Sequence, residues 1–331
     1  MLAFVLFNDH SMTEAMGRQA GIIAREWWFF FWIAVVVFIA TMGALAWALM
    51  KKTDRPLEEP SPQTAGAQYT EHEERGMTLA VGSAVGVTVI VLFVLLFHSM
   101  LTGKAIRRFE SKNAITIQVM GHQWWWHVIY QDPIASQSFQ TANEIHIPVG
   151  EPVVILTSSN DVIHSFWAPN LTGKRDLIPG YQTAFWIQAD KPGRYRGQCA
   201  EFCGHQHAHM AFYIIAEEKA DFEKWKQAQI QPAPTPAPGS AQDKGMQKFL
   251  GGPCVMCHTV RGTQAGGGLG PDLTHVASRT TIAAGTLPFD HVNLEQWIRN
   301  AQSIKPGAKM PAMQLTDEDL NAISTYVESL K

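Results

Sequence analysis

Cys199-Ala-Glu-Phe-Cys203-Gly-His-Gln-His207-Ala-His-Met210 places two thiols, three imidazoles and a thioether within twelve residues, at the spacing C-x3-C-x3-H-x2-M. Soft sulfur donors combined with imidazole select copper, zinc or iron–sulfur centres. Zinc has little use for methionine, a weak neutral ligand. A mononuclear blue-copper site takes one Cys, two His and a weak axial Met. Two thiolates can bridge two copper ions, one of which takes Met210 and the other a second histidine. That reading requires a further His, distant in sequence, on a neighbouring loop. His164, in Asp161-Val-Ile-His164-Ser-Phe166, is the candidate. Inside the segment the x3 spacing from Cys203 selects His207, which leaves His205 and His209 to the surface or to the support of ligands.

Around this segment, from about 113 to 216, the pattern is β. Ile115, Ile117 and Val119 alternate with polar residues, the period of a half-buried strand. Further strand-like runs are Trp124–Tyr130, Glu144–Pro148, Val153–Ser158, Thr183–Gln188, Arg194–Gln198 and Ala211–Ala216. Turn signals at Asp132-Pro133, Val149-Gly-Glu-Pro152, Ile178-Pro-Gly180 and Lys191-Pro-Gly193 separate them. Many short strands with such turns predict a Greek-key sandwich or barrel. The metal segment becomes a loop between its last two strands, with His164 on a loop at the same end. Residues 219–230 read as a short amphipathic helix that closes the domain.

Two charge-poor apolar stretches come first, at 27–49 and 77–101, the second carrying only the titratable His98 near its end. Each is long enough to cross about 30 Å of hydrocarbon as a helix. Trp27, Trp28 and Trp32 fit an interfacial aromatic belt, and Gly82 with Gly86 suits close helix packing. The first stretch starts too late and runs too long for a cleavable signal peptide. The Pro- and Glu-rich segment 51–76 reads as a solvated connection. Basic residues flank both sides (Lys51, Lys52, Arg55 and Arg75 against Lys104, Arg107, Arg108 and Lys112), so charge counting leaves the orientation open. The net charge of −3 gives no case for nucleic acid as a partner.

Residues 231–240, QPAPTPAPGS, read as a semi-rigid extended spacer. Beyond it, Cys254-Val-Met-Cys257-His258 carries the C-x-x-C-H signature of c-type haem attachment. The thiols form thioethers and the adjacent histidine becomes an axial ligand. A thioredoxin-like reading lacks its βαβ surroundings. A zinc site drawn from all four cysteines is set aside because the linker separates the pairs and each has its own His. Met310, in Gly307-Ala-Lys-Met310-Pro311, is the expected sixth ligand, ahead of Met313, His275 and His291. His/Met ligation suits electron transfer. A carbonyl of Gly270-Pro271-Asp-Leu273 is expected to orient the His258 ring. Helices are expected at 242–250, 294–301 and 316–330, with Thr316 as the cap of the last. Covalent haem attachment occurs on the extracytoplasmic side of bacterial membranes, which puts both termini outside and the 51–76 segment in the cytoplasm.

In this order, the two spans, Gly121-His-Gln-Trp124-Trp-Trp126, His164, Asp176-Leu-Ile-Pro-Gly180 and the metal segment resemble subunit II of haem–copper cytochrome c oxidases over about residues 20–230. The remainder resembles a class I cytochrome c. Together they resemble the caa-type bacterial oxidases, whose subunit II carries its own cytochrome. The resemblance implies a multidomain membrane protein: residues 1–104 with the transmembrane hairpin, a cupredoxin-like Greek-key domain at 105–230, the 231–240 linker, and an all-α cytochrome c domain at 241–331. It implies a binuclear CuA centre held by His164, Cys199, the carbonyl of Glu201, Cys203, His207 and Met210. It further implies a magnesium or manganese ion reached by the Glu201 side chain at the interface with subunit I, and Trp124 as the electron gateway. The family's Tyr between the two tryptophans is Trp125 here. Implied partners are subunit I and other oxidase subunits, an external donor (cytochrome c, an iron–sulfur protein or a membrane complex) and membrane lipid. Electrons would run from the donor through haem c and CuA to haem in subunit I, where oxygen is reduced to water, and the tether would keep the haem domain near CuA. A quinol oxidase subunit lacks the copper ligands. A nitrous oxide reductase needs a large His-rich domain. A CuA-containing subunit of a nitric oxide reductase-like enzyme is the remaining alternative.

Overall fold

The computed structural model describes residues 9–51, 71–108 and 114–331. They fall into two compact units, Ile22–Arg108 and the described parts of Met1–Gly21 with Phe109–Lys331. Most of the connection expected at 51–76 lies outside the described residues.

The smaller unit carries two long helices, α1 (Arg18–Met50) and α2 (Glu71–Arg107). Both are long and apolar enough to cross a membrane, with mean hydropathies of 2.4 and 2.7 over their most apolar windows. They run past the predicted 27–49 and 77–101, and the extensions at their ends contain no proline. Large side chains such as Phe38, Ile39, Leu92 and Phe93 face outward, the reverse of a water-soluble helix pair. Glu26 joins the two: His98 Nδ1 lies 2.5 Å from its Oε2 and the Thr102 hydroxyl donates to it at 2.8 Å.

The larger unit opens with a β-sandwich. One sheet orders β3 (Phe139–Ala142), β2 (Trp125–Gln131), β1 (Thr116–His122), β5 (Val153–Ser159) and β8 (Thr183–Ile187). The other orders β4 (Glu144–Pro148), β10 (Ala211–Glu217), β9 (Gly193–Cys199), β6 (His164–Trp167) and β7 (Arg175–Leu177). The β1–β5 and β4–β10 pairs are parallel and the rest antiparallel. Alternation does its expected work in β1 and β2, where Ile117, Val119, Trp126 and Val128 are fully buried. Trp126, Phe166 and Phe212 meet between the sheets at ring separations of 4.4 to 6.3 Å. Aromatic pairs of this kind add about 0.5–1.5 kcal/mol beyond area burial. The backbone of Asp9–Gly17 joins this domain: Arg196 donates to the Asp9 carbonyl, Met16 to Asn170, and Asp190 to Met16.

Strand β4 departs from alternation, since all five residues are buried, Glu144 and His146 among them. Helix α3 (Lys219–Ile230) covers it, and Trp225 stacks on His146 at 4.0 Å. His146 sits between Glu217 at 3.1 Å and Glu144 at 3.3 Å. Burial disfavours the imidazolium, but the hydrogen bonds and charges of the two carboxylates outweigh it and hold His146 above its ordinary 6.5. Burial likewise pushes Glu144 up, and His146 and Thr280 more than reverse this, so it lies below 4.5. A raised histidine stabilises fully below 6.5 and loses its contribution as pH rises through its folded value. A depressed glutamate contributes fully above 4.5 and loses its contribution as pH falls through its folded value. Both are therefore fully present between 4.5 and 6.5. His146→Gln is expected to flatten the alkaline side of a plot of urea midpoint against pH for the detergent-solubilised protein. Identical curves for the two proteins would refute this.

The helical domain contains α4 (Ala241–Gly251), α5 (His291–Ile304) and α6 (Asp317–Ser329), with a short β11 (Thr281–Ile282) and β12 (Leu287–Pro288) hairpin. Ser240, Asp290 and Thr316 cap the three helices through their side chains. Helices α4 and α6 cross so closely at Gly245 that a Cβ there would lie 2.0 Å from the Ala322 carbonyl. The 231–240 segment is not a free spacer along its whole length. The Gln231 carbonyl lies 3.0 Å from His275 Nε2, and the Ala233 amide donates to the Arg261 carbonyl at 2.9 Å. Its first turn therefore lies along the helical domain.

Candidate metal and haem sites

Strand β9 ends at Cys199, β10 starts after Met210, and the loop between them brings its donors together. Cys199 Sγ and Cys203 Sγ are 3.8 Å apart, buried and not disulfide-bonded. His164 Nδ1 lies 3.8 Å from Cys199 Sγ and the Glu201 carbonyl 3.3 Å from it. On the other thiol, His207 Nδ1 stands at 3.6 Å and Met210 Sδ at 3.8 Å. The six donors expected at the copper site thus surround one thiol pair. His205 is exposed and outside this ring, and His209 turns its Nδ1 to Gln206 Oε1 at 3.0 Å.

His164 is not on a loop, as its sequence surroundings had implied; it begins β6. The antiparallel register sets Phe166 opposite Cys199, so His164, at the start of β6, lies just beyond the end of β9, beside the metal loop. Asp161 accepts from His164 Nε2 at 2.9 Å, which leaves Nδ1 turned to sulfur. The Asp161 carboxylate also takes the Gln123 amide at 2.7 Å. Its role was not foreseen; the only trace in the sequence is an acid three residues before the histidine. From the other sheet, Gly121 backs the His164 ring: a Cβ there would lie 2.5 Å from Cδ2.

The Cys199 thiol is driven down to about 3 by hydrogen bonding from Cys203, against its own burial, with help from His164 and backbone amides. Cys203 moves the opposite way because its neighbour ionises first and it too is buried. Burial lowers His164, but Cys199 and Asp161 outweigh it and raise the imidazole. One thiol already inclined to ionise beside a second, with imidazole and thioether around the pair, fits a soft cation. Trp124 is buried against this loop, and its Nε1 donates to the Cys203 carbonyl at 2.9 Å beside Gln123 Nε2 at 2.7 Å. Trp125 instead stacks on His122 at 4.5 Å, away from the thiols.

In the helical domain, Cys254 and Cys257 are free thiols on a one-turn helix and its cap. The His258 amide donates to the Cys254 carbonyl at 2.9 Å. His258 Nδ1 lies 2.8 Å from the Pro271 carbonyl, the contact expected of the Gly270-Pro271 turn. Burial holds this imidazole below its ordinary value, only partly opposed by that hydrogen bond, so it is neutral with Nε2 left to bind a metal. Unpaired thiols and an oriented neutral imidazole fit a covalently attached haem. Met310 packs on the same apolar cluster as Cys254 and Val255, and its carbonyl takes the Gln302 amide. The rival histidines are otherwise engaged. Both His275 nitrogens meet backbone carbonyls at 2.7 and 3.0 Å, and His291 pairs with Glu295 and Glu328.

Both sites gather thiol, thioether and imidazole donors, behind two helices long and apolar enough to cross a membrane, and the class they fit is a membrane-anchored electron-transfer protein. Residues 134–217 match the family described as cytochrome c oxidase subunit II, periplasmic domain, and residues 242–331 match cytochrome c. The chain is 38% identical over 251 residues to cytochrome c oxidase subunit 2 of Alkalihalophilus pseudofirmus, covering 73% of this chain and 70% of that protein. It is 30% identical over 263 residues to the corresponding subunit of a Bacillus species, covering 74% and 72%. A solved periplasmic domain of subunit II from Bradyrhizobium japonicum aligns with 37% of this chain and 96% of its own length, at 30% identity and a TM-score of 0.34. The chain belongs to the cytochrome c oxidase subunit II family, with a cytochrome c domain fused behind it. It is an electron-transfer subunit that works with the other subunits of a haem–copper oxidase, and it carries copper and haem c. The relatives named here are oxidase subunits, so the nitric oxide reductase reading is not favoured.

Proposed function

We propose that His164, Cys199, Cys203, His207, Met210 and the Glu201 carbonyl hold a binuclear CuA centre. On the same reading Cys254 and Cys257 would attach haem c, and His258 and Met310 would hold its iron. When bound, the two groups would supply one-electron chemistry. The chain's own residues set the conditions for it. Asp161 holds the His164 tautomer, Pro271 holds that of His258, and the Trp126–Phe166–Phe212 wall keeps water from the thiols. Trp124 is the gateway, tied to the Cys203 carbonyl through its indole N–H.

The observation that carries this reading is the pair of buried free thiols 3.8 Å apart, with a different imidazole against each. The test is optical and EPR spectroscopy of the purified chain with metal counting. Two coppers per chain with a near-infrared mixed-valence band, beside a low-spin haem c signal, are expected. Mononuclear copper with one titratable thiol would overturn the assignment.

Glu201 turns its carbonyl to Cys199 while the residue itself is exposed, which supports a magnesium or manganese ion where subunit I packs. We take residues 1–104, 105–230, 231–240 and 241–331 as hairpin, copper domain, linker and haem domain. The two helices would span the bacterial cytoplasmic membrane among lipid, with copper and haem domains on the periplasmic side. An external cytochrome, iron–sulfur protein or membrane complex would supply the electrons.

A further inference from the structure

Lys305, in the turn after α5, is 2% exposed and has no carboxylate partner among the described residues. Its ammonium donates to three carbonyls: Trp124 at 2.9 Å, His209 at 2.8 Å and Ala283 at 3.0 Å. Two belong to the copper domain and one to the haem domain. Three donors on three converging acceptors saturate an ammonium and leave it no second arrangement. Taking the charge out of water with only dipoles in exchange is costly, so such a group adds little net stability and much definition of pose.

The contacts around it are directional as well. Gln206 Nε2 donates to the Pro306 carbonyl at 2.9 Å. The Ala211 amide donates across to Ala284 at 3.0 Å. Thr280 gives both its amide and its hydroxyl to Glu144 Oε2, at 3.1 and 2.8 Å. Gly307 packs on the Trp124 indole, where a Cβ would make ordinary contact with the ring at 3.5 Å. Trp124 is 8% exposed as a result of packing on both sides. The Lys305–Met310 turn, which ends in the expected axial ligand, thus lies directly over the gateway residue.

We propose that Lys305 is a positioning residue, the latch that holds the haem domain in one docked pose over Trp124. The pair then works as a fixed couple and not as a tethered domain that samples many orientations. The latch stands on interdomain geometry alone; its consequence for electron transfer rests on the copper and haem assignments above.

The test is Lys305→Met in the assembled oxidase, followed by amide exchange and by electron transfer after photoreduction of the haem. Exchange of the Ala211 amide and of peptides covering 280–286 is expected to accelerate tenfold or more, while α6 keeps its protection, showing that the haem domain remains folded. Haem-to-copper transfer is expected to slow at least tenfold, with both spectra unchanged. Gln206→Ala, a milder lesion on the same face, is expected to move exchange the same way by a smaller factor. Unchanged exchange at Ala211 and 280–286 in both variants would overturn the latch, whatever the transfer rate. Absence of a binuclear copper spectrum in the unmodified protein would instead remove the copper assignment and leave the exchange result to judge the latch.

Discussion

Gly121→Ala is expected to dislodge His164, one of the proposed copper ligands, without touching either thiol. The added Cβ would lie 2.5 Å from Cδ2 and 2.9 Å from Cγ of His164. That ring cannot swing aside easily: it is fully buried, its Nε2 is held by Asp161 at 2.9 Å, and Trp126 lies beyond it at 6.1 Å. The backbone of β1 is no freer, because Gly121 pairs with Trp126 and its carbonyl takes the Asn160 amide. Overpacking of this kind costs about 1–3 kcal/mol, which a folded sandwich survives. The copper site should suffer more than the fold. We expect reduced copper content and loss or marked shift of the mixed-valence band, with circular dichroism and haem spectra preserved. A normal copper spectrum in G121A would show that His164 is not held as a ligand.

Cys203→Ser is expected to have the larger effect of the two. Cys203 Sγ meets three of the other five donors, since Cys199, His207 and Met210 all lie within 3.8 Å of it. A serine hydroxyl is shorter, harder and not ionised near neutral pH, so it cannot bridge two soft cations. The expected product binds at most one copper, shows no delocalised signal, and passes electrons to subunit I at least a hundredfold more slowly. The haem domain reports on folding in the same sample, and its spectrum should be unchanged. Two coppers per chain in C203S would sink the binuclear assignment.

Much of this site can be read in the sequence because its ligands cluster. Five of the six donors lie within twelve residues, and the loop that holds them lies between β9 and β10, whose runs at 194–198 and 211–216 read as strands. His164 is different. Its strand, β6, is four residues long and shows no alternation, since His164, Ser165 and Phe166 are all buried. Strands β3 and β7 escape notice for similar reasons: they are short, and β7 begins with the exposed Arg175 and Asp176. Strand pairing, not local preference, decides such segments.

The supporting residues are harder still. Asp161 matters only because β6 carries His164 back over it. Lys305 is one of 26 basic residues, and nothing local marks it as buried. The linker misleads in another way. Its prolines describe the chain's stiffness correctly, but composition says nothing about where a stiff segment rests, and Arg261 and His275 decide that.

The short run Asp9–Gly17 bears on how the molecule is made. Ser11 and Asn170, which it joins, stand 159 positions apart, and the run's other backbone partners, Asp190 and Arg196, come later still. Chains emerge from the ribosome in order, and distant pairings wait for their second half. This edge of the sandwich is therefore synthesised before both apolar helices and completed after them. Its residues wait for partners until the last strands arrive. The copper domain is in this sense closed by a run that precedes both helices in the chain, and its maturation is ordered in time by where that run sits.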